Sequence, residues 1–91
     1  MGKLYFLANR VVVSTDPKKR SIKLKNGTGV KEFLIKEEDS INYKIAMHMK
    51  PGTVLHFRGF SERRCGCQEE YYIDRISEIV IGNKKYSRRR Y

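Results

Sequence analysis

The chain has 91 residues and a formal net charge of +10, from 20 Lys and Arg against 10 Asp and Glu. This length predicts a single domain with a core just large enough to fold alone. No apolar run approaches the roughly 20 residues of a membrane-spanning helix, and no secretory leader is recognisable. We therefore expect an intracellular protein, cytoplasmic or nuclear, without a membrane partner. The surplus of positive charge favours a polyanionic partner, because each neutralised phosphate releases counterions.

The first half of the chain predicts three strands. Residues 4–14 form a β-branched and aromatic run that is typical of a long, bent first strand. Residues 21–25 alternate between apolar and basic side chains, which indicates a second strand with one buried face and one basic face. Asn26 and Gly27 then favour a two-residue turn, which Thr28 and Gly29 would lengthen, and residues 30–36 complete a third strand.

A short helix is predicted next, over residues 41–49. Asp39 or Ser40 can cap it, and a Pro-Gly pair at positions 51–52 ends it. Its apolar stripe would consist of Ile41, Ile45 and Met49. Because the apolar residues of this segment also alternate with a period of two, a strand is the alternative.

Two more strands follow the helix. Residues 53–61 should place Leu55, Phe57 and Gly59 on one face and His56 and Arg58 on the other. Residues 71–81 form the last strand, whose mixed apolar pattern predicts a bulge. Residues 83–91 are polar and basic, so we expect a flexible C-terminal tail after a domain that spans residues 1–82.

The order β-β-β-α-β-β in a small basic domain predicts an all-β fold with one small helix, a five-stranded OB-type barrel. The segments 23–35, 49–59 and 76–81 also resemble the OB-fold nucleic-acid-binding superfamily. That superfamily includes replication protein A subunits, anticodon-binding domains and bacterial single-stranded-DNA-binding proteins. Unlike the bacterial proteins, this chain has no Trp and ends in a basic segment. The resemblance implies binding of single-stranded nucleic acid.

Barrels of this type use the face of strands 2 and 3 and the adjoining loops, where cations contact phosphates and aromatic rings stack on bases. Phe33 suits the barrel core equally well, and one of the adjacent Tyr71 and Tyr72 should also face the core. The expected binding residues are Lys18, Lys19, Arg20, Lys23, Lys25, Lys31, Phe33, His56, Arg58, Phe60, Arg63, Arg64, Tyr72, Lys84, Lys85, Arg88, Arg89 and Arg90.

Catalytic and metal chemistry find little support in the sequence. Cys65 and Cys67 lack a second pair of ligands at zinc spacing, so we expect reduced thiols in a loop and no metal. No nucleophile motif or phosphate-binding loop is present, which predicts a protein that is not an enzyme and needs no cofactor.

The function expected from the sequence is binding of single-stranded nucleic acid, with DNA preferred over RNA, in replication, recombination or repair. Two alternatives stay open. One is a small adaptor subunit that docks onto a larger nucleoprotein complex. The other is an RNA-binding factor of translation or the ribosome. A protein partner or pairing of the chain with itself is compatible with each of them.

Overall fold

A computed structural model describes residues 3–63 and 68–87 of the chain. The observed elements follow the predicted order β-β-β-α-β-β, with one further strand after them. They are β1 (Leu4–Asp16), β2 (Ser21–Asn26), β3 (Gly29–Leu34), α1 (Ser40–Met47), β4 (Val54–Arg63), β5 (Glu69–Ile81) and β6 (Lys84–Ser87).

The first five strands close into a barrel. β1 is long enough to serve two neighbours, since its first half pairs with β4 and its second half pairs with β2, both antiparallel. Val11 lies at the crossover and is opposite both Val54 and Lys25. A parallel contact between Leu34 of β3 and Tyr72 of β5 completes the ring. The predicted all-β class and five-stranded OB-like barrel with a small helix are therefore confirmed.

The barrel core follows the alternation of side chains along the strands. On β4, Leu55 and Phe57 are buried against the core, while His56 and Arg58 point outward, as predicted. The turn between β2 and β3 is built from Gly27 and the residue after it, one position later than expected, because Asn26 still pairs with Gly29. The core residues are Val12, Ile22, Leu24, Phe33, Ile35, Ala46, Leu55, Phe57, Ile73 and Ile76.

Residues 40–47 form a helix, not the alternative strand. The carboxylate of Asp39 caps it by accepting a hydrogen bond from the backbone N–H of Asn42 at 3.0 Å. The predicted apolar stripe is wrong at its first position: Ile41 is exposed, and Asn42 and Ala46 are the buried residues. Within the described residues, no helix combines the length and apolar character that crossing a bilayer requires.

The predicted irregularity of the last strand is confirmed by two shifts of register between β4 and β5. Asp74 and Ser77 are each an extra residue on β5 that has no opposite partner on β4. Each bulge reverses the inward and outward alternation, which allows Ile73 and Ile76, three positions apart, to face the same core.

The segment after Ile81 forms part of the sheet, which corrects the expectation of a tail that begins at residue 83. Lys84–Ser87 pairs antiparallel with the end of β5 as strand β6. Gly82, with φ of +60°, makes the tight turn that this hairpin needs. Polar side chains do not prevent the pairing, because all four residues of β6 are exposed and their backbone pairs with β5. Residues 88–91 lie outside the described part.

Candidate nucleic-acid interface

Four of the predicted lysines lie together on one side of the barrel. Lys18 and Lys19 are exposed in the turn of residues 17–20 between β1 and β2. Lys23 and Lys25 are exposed on the outer face of β2, since their neighbours Ile22 and Leu24 fill the core. Among the described residues, none of the four forms an ion pair. We call these four residues the lysine face.

A polar cleft of about 120 Å³ opens within the lysine face, between the β1–β2 turn and the outer side of β2 and β3. Lys19 and Lys23 line it, and the hydroxyl of Ser21 donates a hydrogen bond there to Glu32 at 2.8 Å. Cations and hydroxyl groups suit phosphate oxygens, while the carboxylate of Glu32 confines an anion to the lysine side. The other residues that line the cleft are Ser14, Thr15 and Asp16.

Arg20 does not belong to this face, which corrects its assignment to the binding site. Its guanidinium donates hydrogen bonds to the carbonyls of Ile35, Lys36 and Asp39, at 3.3, 2.8 and 3.1 Å. The same group stacks over the ring of Tyr43, 4.1 Å from its centroid. These contacts hold the segment between β3 and α1 against the β1–β2 turn. Arg20 is therefore a structural residue.

Lys31 was expected on the outer face of β3, whereas for Phe33 the outer face and the core were both left open; both side chains face inward. Phe33 is fully buried, and its register opposite Ile22 places it in the core. Lys31 is two positions earlier, so it shares that face, and its Nζ lies 3.8 Å from the ring centroid of Tyr71. The alternation was predicted correctly but the face of Lys31 was not, because β3 carries an apolar residue on each face, Phe33 on one and Leu34 on the other.

Phe60 and Tyr72 lie on the outer face of the barrel, yet they are not free to stack on a base. Their rings stack on each other, 5.0 Å apart with an interplanar angle of 11°. Tyr5 packs on the other side of Phe60, with centroids 5.5 Å apart. Phe60 and Tyr72 retain only 3% and 5% exposure, whereas Tyr5 retains 54%. We call Tyr5, Phe60 and Tyr72 the aromatic ladder; its accessible ring is that of Tyr5.

Two lysines cover the aromatic ladder. Lys3 lies 4.7 Å from the ring centroid of Phe60, and Lys36 lies 4.5 Å from that of Tyr72. Lys36 also donates a hydrogen bond to Glu62 at 3.2 Å, and this bond raises the pKa of the lysine above its usual value. The ladder is therefore an apolar cluster on the outside of the barrel, and it stabilises the packing of β1, β4 and β5.

The predicted cations of β4 are engaged by acidic residues of β5. Arg58 donates to Asp74 with an Nε to Oδ2 distance of 2.6 Å, although its side chain stays 53% exposed. The same guanidinium lies 5.4 Å from the ring centroid of Tyr5. His56 lies 4.0 Å from the carboxylate of Glu78. Arg58 thus keeps part of its surface for a ligand, whereas His56 is half-buried within the sheet.

An exposed apolar row on the outer side of β1 was missed by sequence reasoning. It consists of Tyr5, Leu7, Val11 and Val13, with the exposed polar Asn9 between Leu7 and Val11, and Leu7 is 83% exposed. The row runs between the lysine face on β2 and Arg58 on β4, because β1 pairs with both strands. Its period of two was visible in the sequence, but residues 4–13 are almost all apolar, so the pattern did not show which side faces water.

The remaining predicted cations lie at the edges of the molecule or outside the described residues. Arg63 is exposed at the end of β4, and Lys84 and Lys85 are exposed on β6. Lys85 approaches Glu78 at 3.9 Å. Within residues 3–63 and 68–87, no group of acidic, His or Cys side chains could hold a metal ion. The predicted residues outside the described part are Arg64, Arg88, Arg89 and Arg90, together with Cys65 and Cys67.

Comparison of the chain with protein-family models, with curated proteins and with solved structures finds no match.

Proposed function

We propose that this protein binds single-stranded nucleic acid without catalysing a reaction, and that the lysine face and the apolar row form the binding surface. DNA is the first candidate and RNA the second. The proposal depends mainly on one observation: Lys18, Lys19, Lys23 and Lys25 are exposed side by side and have no acidic partner among the described residues. Unpaired cations on one surface attract phosphates and release counterions when they bind them.

The apolar row supplies the second half of the surface. Val11 lies opposite Lys25, so the row begins beside the lysine face. Tyr5 is six residues away along β1, a distance of about 20 Å at the rise of a strand. An OB-type barrel typically contacts about 4–16 nucleotides, and this span lies at the lower end of such a site.

In the proposed mechanism, the backbone of the strand follows the lysine face while its bases turn toward β1. Leu7 and Val11 offer apolar contact, and Tyr5 offers the one ladder ring that is half exposed. Such contacts require unstacked bases, which a duplex withholds. The mechanism differs from the one expected from sequence, because Phe33, Phe60 and Tyr72 are buried and Tyr5 takes over the stacking role.

The test is a fluorescence anisotropy titration of the full chain against single-stranded DNA, single-stranded RNA and duplex DNA of equal length, at two salt concentrations. We expect tighter binding of single strands than of duplex, with an affinity that falls as salt rises. Equal or tighter binding of duplex would contradict the proposed surface. The ratio of the DNA and RNA affinities decides between the two polymers.

The exposed apolar row also favours a second function, that of an adaptor that docks onto another protein. Leu7 at 83% exposure in the middle of a sheet is typical of an interaction surface. Leu7→Asn separates the two functions. If bases pack on the row, the variant binds single strands more weakly. If the row serves only a protein partner, the variant keeps the wild-type affinity for nucleic acid.

A further inference from the structure

The barrel interior contains two cations that the proposed function does not use. Arg10 follows Phe6 and Ala8 on the inward side of β1 and precedes Val12 of the core. Its guanidinium carbon lies 5.4 Å from the ring centroid of the buried Phe33. Lys31 enters from β3, which brings a second positive charge to the same aromatic neighbourhood. We call Arg10 and Lys31 the inner cation pair.

Three aromatic rings connect the inner cation pair. Phe33 and Tyr71 have centroids 5.9 Å apart, and Phe6 lies 6.3 and 6.2 Å from them, all in edge-to-face contact. Arg10 lies against Phe33, and Lys31 lies 3.8 Å from the centroid of Tyr71. Phe6, Tyr71 and both cations are only partly buried, so each of the four side chains keeps some exposure to solvent.

One hydrogen-bond donor of the inner cation pair is unsatisfied. Nε of Arg10 is shielded from solvent and has no acceptor among the described residues, and neither cation forms an ion pair with a described residue. Stacking on Phe33 occupies the face of the guanidinium, but its N–H groups lie in the plane and still require acceptors. A buried charged donor without an acceptor carries a desolvation cost that a bound anion removes.

We infer that the inner cation pair forms a binding site for a phosphoryl group. The planar guanidinium of Arg10 can donate hydrogen bonds to two oxygens of a phosphoryl group. The ammonium group of Lys31, on β3, can neutralise a further negative charge. The oxygens of a phosphoryl group point in several directions, so the group can accept hydrogen bonds from two cations that lie on different strands. The carboxylate of Glu69 accepts a hydrogen bond from the hydroxyl of Tyr71 at 3.2 Å and so limits where an anion can lie on that side.

The site is independent of the proposed single-strand function, because a free phosphate ion is its simplest occupant. The phosphoryl group could come from a small molecule or from the phosphorylated end of a strand. Isothermal titration of the full chain with inorganic phosphate, and with acetate at matched ionic strength, tests the site itself. Single strands with and without a 5′-phosphate then distinguish the two sources.

We expect saturable binding of phosphate and much weaker binding of acetate. Arg10→Gln and Lys31→Gln should each weaken the phosphate affinity by about tenfold or more, as expected for loss of a charge-assisted hydrogen bond. Lys44→Gln is the matched control, since it removes the same charge from the exposed side of α1, outside both proposed sites, and should leave the affinity unchanged. If Arg10→Gln does not fold, Arg10→Lys keeps the charge, removes the fork and should still weaken binding.

Three results would overturn the site: no saturable binding of phosphate, equal binding of acetate, or equal weakening by Lys44→Gln. A preference for 5′-phosphorylated strands that Lys31→Gln abolishes would assign the site to strand ends. Equal binding of both strands, with phosphate binding intact, would assign it to a small molecule. Either assignment stands even if the lysine face proves not to bind nucleic acid.

Discussion

The backbone N–H of Ile76 donates a hydrogen bond to Oδ1 of Asn42 at 3.2 Å, and this bond joins the helix to the barrel. The amide nitrogen of Asn42 donates at 2.7 Å to the carbonyl of Asp74 and also to the carboxylate of Asp39. One buried side chain therefore satisfies backbone groups in the bulged part of β5 and supports the helix cap. It positions α1 over the core, where Ala46 is buried and Ile45 and Met47 pack beside it.

Replacing Asn42 should lower the stability of the fold strongly, because its single side chain satisfies several buried polar groups. Asn42→Leu leaves the N–H of Ile76 and the carbonyl of Asp74 without partners in a buried place. Each unsatisfied buried group costs about 1–3 kcal/mol, so the free energy of unfolding should fall by at least that much. Urea denaturation followed by circular dichroism measures it. The control is Lys44→Leu on the exposed side of α1, and an equal loss in both variants would contradict this account.

Gly59→Ala should destabilise the barrel because there is no room for a side chain. A Cβ at this position would lie 2.9 Å from the ring of Phe6 and 2.9 Å from the carbonyl oxygen of Tyr72. Forcing an atom into packed surroundings costs typically about 1–3 kcal/mol. Gly29→Ala is the matched control, since the nearest atom to its Cβ is 3.8 Å away. Thermal unfolding of both variants provides the test: the midpoint should fall for Gly59→Ala and stay near the wild-type value for Gly29→Ala. A similar fall in both variants would refute the steric explanation.

Substitutions of Phe60 and Tyr5 should affect different properties, although the two rings are in contact. The first should lower stability, and the second should weaken the binding of single strands. Phe60→Ala removes a ring that is 97% buried within the aromatic ladder, and such truncations cost about 3–5 kcal/mol. Tyr5→Ala removes a half-exposed ring, so stability should change little while single-strand affinity falls by about 1–3 kcal/mol. Thermal unfolding and anisotropy titration on the same samples test both. If instead Phe60→Ala weakened binding at unchanged stability and Tyr5→Ala lowered stability, Phe60 would be the residue that stacks on a base.

The strand order was predictable from sequence because it depends on local signals. Alternation in residues 21–25, the turn chemistry near Gly27 and the cap at Asp39 each act within a few positions. Together these signals were sufficient to predict the barrel, including the bulged last strand.

The face of several side chains was not predictable, because it depends on partners distant in sequence. Phe60 is buried by Tyr5 and Lys3, which come from the start of the chain and meet it only when β1 pairs with β4. Arg20 was predicted to bind a ligand, because the carbonyl groups that accept its hydrogen bonds lie 15 to 19 residues later in the sequence and leave no local signal. A charged residue in a basic cluster carries no local sign of such a structural role.

The ion pair of Lys36 with Glu62 predicts a loss of stability at high pH. The hydrogen bond to Glu62 raises the pKa of Lys36 in the folded state above the usual value of 10.5. Its contribution to stability is therefore complete below that value and disappears as the pH rises through the folded-state pKa. Urea denaturation between about pH 8 and pH 11 should show a smaller decline for Lys36→Met than for the wild type. Lys25→Met, at an exposed lysine, is the control and should follow the wild type.

The salt dependence of binding should identify which lysines contact phosphates. Lys23→Gln/Lys25→Gln removes two charges from the lysine face, and Lys84→Gln/Lys85→Gln removes two from β6. Each lost phosphate contact lowers the slope of log affinity against log salt by about 0.7 for single strands, so the first variant should lose up to about 1.4. The second should lose less, because β3 and β5 lie between β2 and β6 even by the shorter way around the closed barrel, and Lys85 already lies 3.9 Å from Glu78.

Anisotropy titrations at four or more salt concentrations provide both slopes for the same single-stranded probe. Unfolding curves of the two variants should match the wild type, since exposed lysines contribute little to packing. Equal losses of slope would show that a general positive field attracts the strand and that no defined face binds it. A larger loss in the β6 variant would move the interface to β6, which precedes the basic residues 88–90 in the sequence, and the proposed role of the apolar row on β1 would then be wrong.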